Sequence, residues 1–112
     1  MHISAQQRGR ARPGTSSLSS GSGWIYDDDG HVVTNYHVVE GADSARVTLD
    51  DQSVYEAEVV GAAPDKDLAV LRIDMEDIQA ITLGNPDQAR VGDVVLAIGN
   101  PYGFGHSVSQ GI

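Results

Sequence analysis

The chain of 112 residues has no cysteine, only one tryptophan and one phenylalanine, and no apolar run near the ~20 residues that span a bilayer. Without cysteine, a disulfide scaffold, a thiolate metal site and a cysteine nucleophile are excluded. The short apolar runs exclude a transmembrane helix. The length suits one domain, and the 40% hydrophobic content is ordinary for a globular protein.

Positive charge is scarce after the first 22 residues. Arg8, Arg10 and Arg12 precede every acidic residue. The segment after residue 22 contains all 16 acidic residues and only four of the seven basic ones, so its net charge is −12. A body this acidic repels phosphate groups. Nucleic acids and anionic membrane surfaces are therefore excluded as favoured partners.

Residues 1–21 are rich in glycine, serine and arginine, with Ile3 and Leu18 as their large aliphatic side chains. This composition predicts a flexible tail without chemistry of its own. No apolar segment of signal-peptide length follows the arginines, so we do not expect an intact secretory signal here.

From Gly21 onward, short apolar segments alternate with turns. Two patterns stand out: an acidic turn at 27–30 between two strand-like segments predicts a hairpin, and a single helical turn at 37–40 is ended by Gly41. The run 68–73 predicts a strand that is buried on both sides. Strands are predicted around residues 23–26, 31–34, 46–50, 54–60, 68–73 and 91–98.

The spacing of these strands, without a long helix, predicts an all-β fold. We expect a small antiparallel six-stranded β-barrel over residues 22–100.

Four motifs occur in order along this region, and together they are far more specific than any one of them. They are residues 21–25 (GSGWI), 34–39 (TNYHVV), 67–71 (DLAVL) and 91–103 (VGDVVLAIGNPYG). From Gly21 almost to Ile112 the chain resembles the first half of a trypsin-like serine protease of the HtrA/Deg family. The resemblance implies one half of a two-barrel fold, with residues 101–112 as the linker and first strand of the missing second barrel.

The resemblance also implies catalytic roles for His37 and Asp67. The histidine of the T-N-x-H-V segment would be the general base, and the aspartate that opens D-L-A-V-L would orient it. A serine hydroxyl needs an imidazole to take its proton, and a carboxylate on Nδ1–H fixes the required tautomer. Because Asp67 opens an apolar strand, its carboxylate is predicted to be poorly solvated. Asp65, two positions earlier, is the alternative.

The serine nucleophile of this family comes last, within G-N-S-G-G or G-D-S-G-G. After Asp67 the chain has only Ser107 and Ser109, and neither stands in that context. The oxyanion hole and the specificity pocket belong to the same absent half. We therefore predict that this chain alone is inactive and that its partner is the missing C-terminal barrel.

No motif indicates a metal or cofactor. The acidic turn 27–30 lacks the EF-hand pattern, since Val38 stands where that loop ends in glutamate. The four histidines show no zinc-ligand spacing, and the glycine-rich residues 103–106 lack the lysine of a phosphate-binding loop.

The family implies unfolded or misfolded proteins as substrates, a periplasmic or otherwise exported location, and PDZ domains downstream. A second hypothesis is a non-catalytic, self-associating or protein-binding barrel derived from such a protease. An apolar face near Tyr36, Val38 and residues 101–104 would then drive formation of a dimer or higher oligomer.

Overall fold

The computed structural model describes residues 1–8, 16–100 and 107–112. Within these ranges the chain forms eight strands, one helical turn and two short 3₁₀ turns, at Pro64–Lys66 and Pro86–Gln88. The strands and helix are β1 (His2–Arg8), β2 (Ser16–Ile25), β3 (His31–Thr34), α1 (Tyr36–Val39), β4 (Ser44–Thr48), β5 (Val54–Ala63), β6 (Leu68–Ile73), β7 (Val95–Gly99) and β8 (Ser107–Gly111).

Six of these strands close into an antiparallel barrel in the order β1-β2-β3-β6-β5-β4. Closure depends on β1 pairing with β4, where Ile3 lies opposite Val47. The predicted all-β, six-stranded barrel is confirmed, although one of its six strands, β1, stands in the place that was expected for residues 91–98.

Residues 2–8 and 16–21 are not a flexible tail, so the prediction for them is wrong. They form β1 and the first part of β2, paired from His2 opposite Ser22 to Arg8 opposite Ser16. Ile3 and Ala5 are buried in the core. Backbone hydrogen bonds hold this polar segment in the barrel, so a few small or apolar side chains on its inner face are enough to make it a strand.

Residues 91–98 were expected to supply a barrel strand, and this too is wrong. The strand β7 covers Val95–Gly99 and pairs with β8, from Val95 opposite Gly111 to Gly99 opposite Ser107, in a separate two-stranded sheet. Because β1 already completes the barrel, β7 is not needed for its closure. Residues 101–106 of the predicted linker lie outside the described residues.

The predicted hairpin joins β2 to β3. Tyr26 N–H donates to the carbonyl of His31 at 2.8 Å, and Gly30 takes a positive φ of 93°. A Cβ at Gly30 would lie 2.2 Å from the carbonyl oxygen of Ile73, so glycine is required here for both conformation and space.

The core fills the barrel with aliphatic side chains of β1, β3, β4, β5, β6 and α1, and Ile25 of β2 packs against it. Strand β5 alternates as predicted, with Ala57 inside and the glutamates outside. Strand β6 also alternates, with Leu68 and Arg72 exposed, so it is not buried on both sides as expected. Among the side chains that the structure describes, the buried hydrophobic ones are Ile3, Ala5, Val32, Val38, Val39, Ala45, Val47, Ala57, Ala69, Leu71 and Ile73.

Among the described residues, no helix has the length and apolar character needed to cross a membrane.

Candidate active site

The helical turn α1 presents His37 at one end of the barrel. Val38 and Val39, on the turn's inner side, are buried. A Cβ at Gly21 would lie 2.5 Å from Val38 Cγ2, so β2 leaves room for this valine. The Ser19 hydroxyl also donates to the carbonyl of Val38. The segment predicted to be a tail therefore helps to fix the turn that carries His37.

Asp67 lies just before β6, at the end of a 3₁₀ turn. It adopts the left-handed conformation, with φ 54° and ψ 41°, and its N–H donates to the carbonyl of Pro64 at 3.2 Å. Strands β3 and β6 are paired, with Thr34 opposite Ala69. This pairing brings the end of β3, which leads to His37, beside the start of β6.

His37 and Asp67 contact each other through two hydrogen bonds, although 30 residues separate them. The backbone N–H of His37 donates to Asp67 Oδ1 at 2.8 Å, and the ring Nδ1 lies 2.7 Å from Oδ2. An ionised carboxylate only accepts hydrogen bonds, so Nδ1 carries the hydrogen and Nε2 is left as the acceptor. This is the tautomer that a general base requires.

The same hydrogen bonds stabilise the ionised form of Asp67. They hold the pKa of its carboxyl below the ordinary value of 3.8, the backbone N–H of His37 contributing most and the ring next. The prediction of a poorly solvated carboxylate is wrong, because the side chains of His37 and Asp67 are 67% and 46% exposed. Hydrogen-bond donors, rather than burial, therefore determine the direction in which the pKa of Asp67 is shifted.

Asp67, and not the alternative Asp65, provides the carboxylate that contacts His37. Asp65 lies within the 3₁₀ turn Pro64–Lys66 and is exposed. The serines after Asp67 lie in β8, Ser107 opposite Gly99 and Ser109 opposite Ala97.

A second histidine–aspartate pair was missed by the sequence reasoning. In the β2–β3 hairpin, His31 Nδ1 lies 2.7 Å from Asp27 Oδ2. Although desolvation opposes it, the hydrogen bonds from His31 and Asp29 lower the pKa of Asp27. The acidic turn followed by histidine was the available signal, but it was interpreted only as a hairpin turn and tested against the calcium-loop pattern.

Asp29 joins this hairpin pair in a group whose ligand atoms lie within 4.8 Å of one another, Asp27, Asp29 and His31. Side chains of these types could hold a metal ion. Their local contacts already explain the arrangement, since Asp27 Oδ1 accepts the backbone N–H groups of Asp29 and His31. The turn is therefore stabilised by its own hydrogen bonds, and its geometry needs no metal ion to explain it.

The fold and the site together are a closed antiparallel barrel in which a histidine and an aspartate contact each other at one end. The chain belongs to the trypsin-like peptidase family, whose profile, described as Trypsin-like peptidase domain, matches residues 21–112. Within that class its relatives are HtrA and DegP proteases, so the resemblance to the HtrA/Deg family is confirmed.

Two curated relatives illustrate the likeness. Protease Do-like 1, chloroplastic, of Arabidopsis thaliana is 50% identical over 95 residues, covering 83% of this chain and 22% of the relative. A probable periplasmic serine endoprotease DegP-like of Chlamydia trachomatis serovar D is 45% identical over 105 residues, covering 94% and 21% respectively. The chain thus spans about a fifth of the length of these relatives.

Solved structures agree. The HtrA-type protease AlgW with a tripeptide has a TM-score of 0.80 at 41% identity, over 97% of this chain and 34% of that chain. The serine endoprotease from Yersinia pestis has a TM-score of 0.75 at 38% identity, over 99% of this chain and 39% of that chain.

Proposed function

We propose that the chain is the N-terminal barrel of an HtrA-like serine endopeptidase, with His37 as the general base and Asp67 as the carboxylate that orients it. The observation that carries this proposal is the two-point contact between them. It fixes the position of the imidazole through its Nδ1–H and leaves Nε2 available.

The chemistry follows from that geometry. His37 Nε2 accepts the proton of a serine hydroxyl as the oxygen attacks a peptide carbonyl, and later returns the proton to the leaving amine. Asp67 stays ionised throughout, as its lowered pKa favours, and stabilises the positive imidazolium that forms in between.

The serine and the oxyanion hole come from a C-terminal barrel, in this proposal. No serine of this chain stands in a G-N-S-G-G or G-D-S-G-G segment. The chain alone is therefore inactive, because a base and its orienting group have nothing to activate.

Unfolded or misfolded proteins are the proposed substrates, and the periplasm or another exported compartment is the proposed location. The relatives' names support the location and a protein substrate: several are called periplasmic serine endoproteases, and one is named a chloroplastic protease. The unfolded state of the substrate follows from the resemblance to the HtrA/Deg family. The chemistry proposed for His37 and Asp67 uses no cofactor.

Self-association is a second candidate function, favoured by exposed apolar side chains. The predicted face is wrong at Val38, which is only 1% exposed, and its residues 101–104 lie outside the described ranges. The structure instead exposes β7 and an apolar groove of about 500 Å³ beside it. Apolar side chains lining this groove include Met1, Trp24, Leu68, Ile81, Leu83 and Ile98.

A fusion tests the catalytic proposal. The chain is joined at Ile112 to the C-terminal barrel of an HtrA-type relative that carries the serine, and cleavage of unfolded casein is measured. We expect activity from the fusion and none from the unfused chain. His37→Ala should lower kcat/KM of the fusion by about 10⁴-fold or more.

His31→Ala is the matched control, because His31 makes the same 2.7 Å contact with an aspartate at a remote site. It should leave the rate of the fusion unchanged. A fusion that keeps its activity after His37→Ala would refute the assigned base, and cleavage by the unfused chain would refute its inactivity.

A further inference from the structure

Asn35 occupies the N-cap of α1 without capping it. An asparagine at this position ordinarily accepts a hydrogen bond from a backbone N–H two or three residues later. The side chain of Asn35 makes no such bond. Its Nδ2 instead donates to the backbone carbonyl of Asp67 at 3.1 Å, across 32 residues of sequence. Helix capping therefore does not account for this side chain.

The carbonyl of Asp67 is held by two donors from one segment. Tyr36 N–H donates to the same oxygen at 3.0 Å. Asp67 itself lies in the left-handed region at φ 54°, which a residue with a side chain occupies only where its surroundings fix it. A change in its backbone angles would swing the carboxylate away from the two donors of His37.

We propose that Asn35 is a positioning residue for His37 and Asp67. By binding the Asp67 carbonyl, it fixes the backbone from which that carboxylate reaches both the amide and the ring of His37. The essential property of Asn35 is that its Nδ2 donates a hydrogen bond to this carbonyl. Aspartate is an equally good N-cap residue, but its carboxylate has no hydrogen to donate. The consequence for catalysis rests on the proposed function, whereas the positioning is a property of this chain.

Nuclear magnetic resonance of the ¹⁵N-labelled 112-residue chain tests the positioning directly. The readouts are the His37 Nδ1–H resonance and the exchange rate of the His37 backbone amide, both of which donate to Asp67. In Asn35→Ala we expect the ring proton signal to shift or vanish and amide exchange to quicken by about two- to ten-fold. Asn35→Asp should do the same, since aspartate has a similar size but no hydrogen to donate to the Asp67 carbonyl.

Asn85→Ala is the matched control. Asn85 is also an N-cap, and its side chain accepts the N–H of Asp87 at 3.0 Å, as a capping asparagine should. This variant should leave both His37 signals unchanged while it loosens the turn Pro86–Gln88. Unchanged His37 signals in folded Asn35→Ala or Asn35→Asp would overturn the positioning role, as would the same change in Asn85→Ala.

The two proposals fail separately. If the fusion cleaves nothing while Asn35→Ala alters the His37 signals, the protease function is wrong and the positioning stands. If His37→Ala abolishes cleavage while Asn35→Ala leaves the His37 signals intact, the positioning alone is wrong.

Discussion

The ring and the backbone amide of His37 bind different oxygens of the Asp67 carboxylate, at 2.7 Å and 2.8 Å. Two contacts from one residue restrict the rotation of the carboxylate as well as its distance. The orientation of the imidazole is therefore fixed within this barrel, as the proposed general-base role requires. The site depends on hydrogen-bond donors and backbone geometry rather than burial, because about two thirds of the His37 side chain and nearly half of the Asp67 side chain are exposed to solvent.

Asp67→Asn should abolish most of the activity of the fusion protein. A carboxamide can present its NH₂ to Nδ1 and so favour the wrong tautomer, which leaves Nε2 protonated and unable to accept the serine proton. We expect kcat to fall by about 10⁴-fold. Asp65→Asn, two residues away, should keep the activity. Equal losses in the two variants would contradict the assignment to Asp67.

Asp67 should also make stability depend on pH in acid. Its folded pKa lies below the ordinary value of 3.8, so the unfolded chain takes up the proton at higher pH than the barrel does. The resulting stabilisation is present above about pH 4 and is lost as pH falls through the folded pKa. We expect urea midpoints at pH 5, 4 and 3 to drop less for Asp67→Asn than for the unaltered chain. Parallel drops would show that the contact does not contribute.

Ile3→Ala tests whether the N-terminal segment belongs to the barrel. Ile3 is fully buried opposite Val47, so its truncation should lower the free energy of unfolding by about 2–5 kcal/mol. Val54→Ala, at a side chain that is 59% exposed, should cost about 0.5 kcal/mol or less. Urea unfolding measures both. A flexible tail would instead give no loss for Ile3→Ala.

Gly30→Ala and Gly41→Ala separate a steric clash from a conformational cost. Both glycines have positive φ, 93° and 75°. A Cβ at Gly30 would lie 2.2 Å from the carbonyl oxygen of Ile73 and 3.4 Å from Ile78 Cδ1, whereas a Cβ at Gly41 would have no atom within 4 Å. Gly41→Ala should cost about 1–2 kcal/mol. Gly30→Ala should cost at least about 1 kcal/mol more, as measured by urea unfolding. Equal costs would mean that the hairpin relaxes around the new methyl group.

The exposed strand β7 should cause the isolated chain to associate. Leu96 and Ile98, on one face of the strand, are 60% and 69% exposed, and apolar patches of this kind mark interaction surfaces. Light scattering at 0.15 M salt should find dimers or larger species at high micromolar concentration. Replacing both residues by lysine should restore the monomer, whereas Val60→Lys on β5 should not. A monomer at every concentration would refute this prediction.

Local sequence features were sufficient to predict several elements of the fold, and motif context singled out two residues that the structure places in contact. The acidic turn ending in Gly30 specifies the hairpin, and the valines of α1 followed by Gly41 specify one helical turn. His37 and Asp67 were selected by motif context, and the structure brings them into contact. Such features need only neighbouring residues, so a sequence reveals them.

Only the tertiary structure decided which strands close the barrel. Residues 2–8 carry little local β signal, yet β1 pairs with β4 more than 40 positions along the chain, as Ile3 opposite Val47 shows. With that place taken, the more apolar β7 lies outside the barrel and pairs with β8. The exposure of Asp67 and its link to Asn35 were equally invisible in the sequence. The amino-acid sequence by itself determines where the turns lie and which side chains are available for chemistry. Strand pairing depends on backbone hydrogen bonds, which almost any sequence can form. Which strand pairs with which is therefore decided only when the barrel closes.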